Sequence, residues 1–106
     1  MQFQFNSDNR VTGDAAVADR IERLVRLRLD HVSARMTRVE VHVGDVNGPR
    51  GGNDIRGSVE LRPNGMRPIA ATDEASSVEA AVASATDKAR SAFDRQIGKR
   101  TSRKGH

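Results

Sequence analysis

The sequence predicts an α+β fold of order β-α-β-β-β-α, a two-layer sandwich with two helices on one face of a four-stranded sheet. Short stretches around Phe3, Val41 and Val59 alternate apolar with polar residues, the period of a strand with one buried face. Two longer stretches repeat their apolar residues at helical spacing instead. Most connections are short, so neighbours in sequence should be neighbours in space, with strands two to four antiparallel. At 106 residues there is room for one domain and a modest core.

The elements follow in order. Phe3 and Phe5 point one way and Gln2 and Gln4 the other, which makes a first strand. Thr12 or Asp14 can cap a helix running from about Asp14 to His31. Its stripe is Val17, Ile21, Leu24, Val25, Leu29 and Val32; Arg20, Arg23 and Arg26 lie off it, while Arg28 falls among the apolar positions and is expected to extend its guanidinium to water. Thr37 to Val43 is the clearest strand, with Val39, Val41 and Val43 on one face and Arg38, Glu40 and His42 on the other. Residues 44–54 are rich in turn formers and predict a long loop. Ile55 to Arg62 forms a third strand, where Gly57 takes a core-side position suited to a bulge or a closely packed helix. Pro63-Asn64-Gly65 supplies a hairpin turn, and Met66 to Thr72 a fourth strand. Ser76-Ser77-Val78-Glu79 has the pattern of a capping box. The helix it opens buries Val78, Val82, Ala85, Ala89 and Phe93, persists to about Ile97 and stops at Gly98. This divides the chain into an α/β domain, residues 1–97, and a flexible basic tail, residues 98–106.

Composition narrows the function. The chain is 36% apolar and 30% charged, which suits a folded domain and not a disordered one. With three Phe and no Trp or Tyr, stacking of bases on aromatic platforms has few residues to use. The absence of cysteine removes disulfides, thiolate metal sites and cysteine nucleophiles. The N-terminus lacks the basic start and apolar stretch of a secretory signal, and no apolar run could cross a bilayer, so a cytoplasmic protein without membrane contact is expected.

Charge is the strongest compositional signal. Net charge is +4, but residues 88–106 hold seven of the 18 basic side chains and only one of the 14 acidic ones, Asp94. Lys88, Ser91, Arg95 and Lys99 are spaced to form one stripe along the second helix; Arg90 lies on the opposite flank, and Arg100, Arg103 and Lys104 follow in the tail. Long cations on a rigid rod suit a polyphosphate backbone, because each contact releases condensed counterions. The bland alternative is a solvated face and a solubilising tail. Arg20, Arg23 and Arg26 are interrupted by acids, and binding and plain solvation stay equally open for them.

Enzyme chemistry finds little footing. His31, His42 and His106 have no ligand spacing. Asp73, Glu74 and Glu79 are expected at a helix start, where carboxylates are favoured anyway. Gly48-Pro49-Arg50-Gly51-Gly52 lacks the Lys-Ser/Thr ending of a phosphate loop, although Arg50 could touch a backbone. Neither a metal nor a cofactor is expected.

The element order, the opening Gln-x-x-Phe strand, Arg35-Met36-Thr37-Arg38-Val39-Glu40-Val41, and Ala80-Ala81-Val82 followed by Thr86-Asp87-Lys88 resemble the family of ribosome hibernation promoting factors and ribosome-associated inhibitors. The resemblance implies a double-stranded-RNA-binding-domain-like sandwich that lodges in the decoding region of the small ribosomal subunit. Bound to rRNA there, it would block messenger and transfer RNA sites and stop translation during stress without making or breaking a bond. The family's basic helical surfaces map onto Lys88, Arg95 and Lys99, and more loosely onto Arg20, Arg23 and Arg26.

Three departures stand out. Glu79-Ala80-Ala81-Val82 replaces a Tyr-Ala-Ala-Ile run, the loop at 44–54 is long, and the extra domain by which long members pair two ribosomes is absent from this sequence. Pairing of ribosomes by this chain alone is therefore not expected, while idling single ribosomes and helping a partner to pair them both stay open, for a monomer or weak homodimer. The competing reading is a protein-interaction or transcription-modulating module that uses the open sheet face and the 44–54 loop.

Overall fold

The computed structural model describes residues 1–8, 15–46 and 55–104, with 100–104 followed by their backbone. The expected element order is present, with one addition. The elements are β1 (Gln2–Ser7), α1 (Ala15–Arg28), a 3₁₀ segment (Asp30–Arg35), β2 (Met36–Asp45), β3 (Ile55–Pro63), β4 (Ile69–Ala75) and α2 (Val78–Lys104). The sheet order is β1-β2-β3-β4. β1 runs parallel to β2, across the α1 crossover that parallel neighbours require, and the other pairs are antiparallel.

Register carries the alternation across the whole sheet. Phe3 lies opposite Val39, Val39 opposite Leu61, and Leu61 opposite Ile69. Phe5, Val41, Val59 and Ala71 make the next row on the same face. Both helices cover that face: Ile21 and Val25 from α1, Leu29 just beyond its end, and Val82, Ala85 and Ala89 from α2 have no exposed surface, and Phe93 is 2% exposed. Burying each of the large side chains stabilises the fold by roughly 1.5–3 kcal/mol. Gly57 decides how near α2 can come. A Cβ there would lie 3.0 Å from the backbone of Ala81 and Val82, so the glycine admits the helix and is not a bulge.

Several boundaries differ from the sequence expectations. β2 runs on through Gly44 and Asp45, which pair with Arg56 and Ile55 and so belong to the strand and not to the expected 44–54 loop. α1 ends at Arg28 and the chain tightens into the 3₁₀ segment, which carries His31. β4 starts at Ile69, because residues 64–68 close the hairpin around Gly65 at φ +69°. Asp73 and Glu74 therefore belong to a strand, not to a helix start. The cap of α2 is Ser77, whose hydroxyl accepts the Ala80 N–H at 3.1 Å, so Glu79 is released from the capping box and reaches Arg20 at 3.3 Å. Finally, α2 does not stop at Gly98. Among the described residues only Gly65 has positive φ, so Gly98 lacks the left-handed turn of a C-terminal stop, and the helix runs on to Lys104. Thr12, Asp14 and most of the 44–54 loop, Arg50 included, lie outside the described residues, as does His106.

Candidate nucleic-acid interface

α2 is the rod on which the expected basic stripe sits. From Lys88 to Lys104 it extends about 24 Å. Lys88, Arg95 and Lys99 are all exposed. An open groove of about 470 Å³ separates α2 from the edge strand β4, with Lys88, Ser91 and Arg95 on its helix side and Ala70 and Ala71 on its strand side. Small residues on the strand side keep the groove open, while a hydroxyl and two long cations line the other. Arg100, Arg103 and Lys104 fall in the last turns of the same helix.

The cations differ sharply in how they are held. Arg95 and Lys99 have no ion-pair partner among the described residues, and neither does Arg23 on α1. Lys88 lies 3.3 Å from Asp73, Arg90 3.7 Å from Asp94, Arg20 3.3 Å from Glu79, and Arg26 2.8 Å from Glu22. Of the seven expected contact residues whose side chains are described, four are thus partly neutralised by acids in the same molecule. Arg28 does not simply extend to water: it donates to both carboxylate oxygens of Asp87 at 2.7 and 2.8 Å, tying α1 to α2.

The Thr86-Asp87-Lys88 run now has a physical account. Thr86 is buried and its hydroxyl donates to the Val82 carbonyl at 2.7 Å, which satisfies a polar group inside the core. Asp87 holds Arg28, and Lys88 meets Asp73 on β4. One turn of helix is therefore linked to its own backbone, to α1 and to the sheet. Asp73 also receives the Ser84 hydroxyl and the Glu74 backbone N–H, the latter at 2.9 Å. These donors, Ser84 foremost, hold its carboxyl below the ordinary aspartate range. Asp73 is in phase with the inward residues Ile69 and Ala71, a signal the sequence carries once β4 is extended to Ala75.

The open sheet face behaves differently. Glu40 lies 2.9 Å from Arg38 and 3.3 Å from Arg62, Glu60 pairs with Arg62 at 3.2 Å, and Arg56 with Glu74 at 2.8 Å. His42 faces Asp8 at 3.1 Å. No group of three or more metal-ligating side chains occurs among the described residues, and no described helix is long and apolar enough to cross a membrane.

No protein-family model matches the chain, and no curated protein matches it by sequence. Solved structures do match. The N-terminal domain of Protein Y from Thermus thermophilus superposes with a TM-score of 0.70 at 19% identity, over 90% of this chain and 98% of that domain. A ribosomal subunit interface protein from Coxiella burnetii superposes with a TM-score of 0.64 at 13% identity, over 96% of this chain and 99% of that one. Along nearly its whole length, then, the chain has the α+β fold of these two proteins.

Proposed function

We propose that the chain is a ribosome-associated hibernation factor that binds small-subunit rRNA in the decoding region and blocks the messenger and transfer RNA sites. It acts in the cytoplasm as a binder, not as an enzyme. The observation that carries this reading is the joining of two features: a fold shared with a ribosomal subunit interface protein, and exposed Arg95 and Lys99, without an ion-pair partner among the described residues, on a helix that continues through Arg100, Arg103 and Lys104. Phosphate contacts of this kind need no bond chemistry and tolerate loose spacing. The protein-interaction alternative draws on the sheet face, where the acids and bases already satisfy one another.

Co-sedimentation with purified small subunits tests it. If about five phosphates are engaged, affinity should fall by roughly an order of magnitude or more between low and moderate salt. Association that ignores salt would defeat the reading. So would binding that survives exchange of Lys88, Arg95 and Lys99 for Glu in a chain that remains folded.

A further inference from the structure

We propose that Asp73 limits the strength of the α2 interface by competing with RNA phosphate for Lys88, an inference that rests on the ribosome-binding reading above. The geometry is specific. Asp73 faces the helix layer from β4, opposite Gly57 in β3, and meets Lys88 at 3.3 Å beside the groove. Its side chain is 29% exposed while that of Lys88 is 57% exposed, so the acid is the sheltered partner and the base the accessible one. Ser84 and the Glu74 N–H orient the carboxylate independently of Lys88, which makes it a standing competitor. Arg95, about two turns further along the groove, faces no such acid among the described residues.

A phosphate seated in this groove reaches Arg95 and Ser91 freely but draws Lys88 only by displacing Asp73. The carboxylate thus positions Lys88 over the groove and withholds part of its contribution. Neutralising Asp73 should release one more full phosphate contact. The expected result is affinity about two- to fivefold tighter, the scale of one exposed ion pair, and a slope of log affinity against log salt steeper by about 0.7–0.9.

The experiment is a salt series of co-sedimentation with purified small ribosomal subunits, using the full chain, Asp73→Asn, Lys88→Gln and the double variant. Glu60→Gln on the sheet face makes the same change in net charge away from the groove. Asp73→Asn should bind more tightly with the steeper slope, and the gain should vanish in the Lys88→Gln background. If Asp73→Asn behaves like Glu60→Gln, or its gain survives without Lys88, the assignment of Asp73 is overturned while the ribosome reading stands. If the unsubstituted chain shows no salt-dependent binding, both fall together. Should Asp73→Asn fail to fold by circular dichroism, Asp73→Thr removes the same charge with a β-branched residue suited to a strand, and the same two outcomes decide.

Discussion

The two broad surfaces of this domain carry similar residues in opposite arrangements. On the open sheet face, Arg38, Arg56 and Arg62 each lie within 3.3 Å of a glutamate. On the helix layer, Arg95 and Lys99 stand without an acid among the described residues, on a helix whose last turns add three more bases. Cross-strand neighbours sit close enough for opposite charges to meet across a sheet, whereas a helix that runs along the groove at the sheet edge has fewer acids to meet. Pairing, more than the number of bases, separates a solvated face from one that can take a polyanion.

The largest expected effect tests this contrast directly. Exchange of Lys88, Arg95 and Lys99 for Glu should weaken binding to small subunits by roughly a hundredfold or more. The same exchange at Arg38, Arg56 and Arg62 alters net charge equally, yet should leave the slope of log affinity against log salt unchanged. Equal losses of slope from both sets would erase the distinction between the faces.

Next in size are two glycines at opposite ends of α2's environment. Gly57→Ala forces a Cβ against the Ala81 and Val82 backbone and should destabilise the fold by about 1–3 kcal/mol in a urea melt. Gly98→Ala meets nothing within 4 Å and should stabilise the distal helix by about 0.5–1 kcal/mol, slowing amide exchange in its last turns. A smaller loss, about 0.2–1 kcal/mol, is expected for Arg28→Ala, because its pair with Asp87 is half exposed and screened by water. Thermal melts of Arg28→Ala, Asp87→Ala and the double variant isolate that coupling, and strictly additive losses would show the pair contributes nothing.

The smallest effect concerns acid. Because the Asp73 carboxyl is lowered, chiefly by Ser84, then by the Glu74 N–H and Lys88, its contribution to stability is fully present above the ordinary aspartate value of 3.8. It disappears as pH falls through the lower native value. Chemical melts across that acid range should show the wild-type chain losing more stability than Asp73→Asn, and parallel losses would remove Asp73 from the account.

Much of the fold could be read from the chain because local rules were sufficient. Alternation at Val39, Val41 and Val43 and the helical stripe through Ile21, Val25 and Leu29 are the residues found buried. The phase of Gly57 suits a bulge or a closely packed helix, and the structure has the helix there. Boundaries were harder, since Gly98 and the Ser76/Ser77 pair each allow two local solutions. At the Ser76/Ser77 pair, the solution adopted is accompanied by a long-range pair between Glu79 and Arg20. The stripe of Lys88, Ser91 and Arg95 was also legible, and it lines one groove.

By itself, then, the sequence determined the order of elements, the face that each strand buries and the concentration of bases near the C-terminus, because periodicity and composition are local properties. Only the tertiary structure decided which of those bases meet an acid among the described residues. Asp73 and Lys88 are 15 positions apart, and Arg28 and Asp87 are 59 apart; such pairs depend on where α2 settles across the sheet, which no local pattern in the chain specifies.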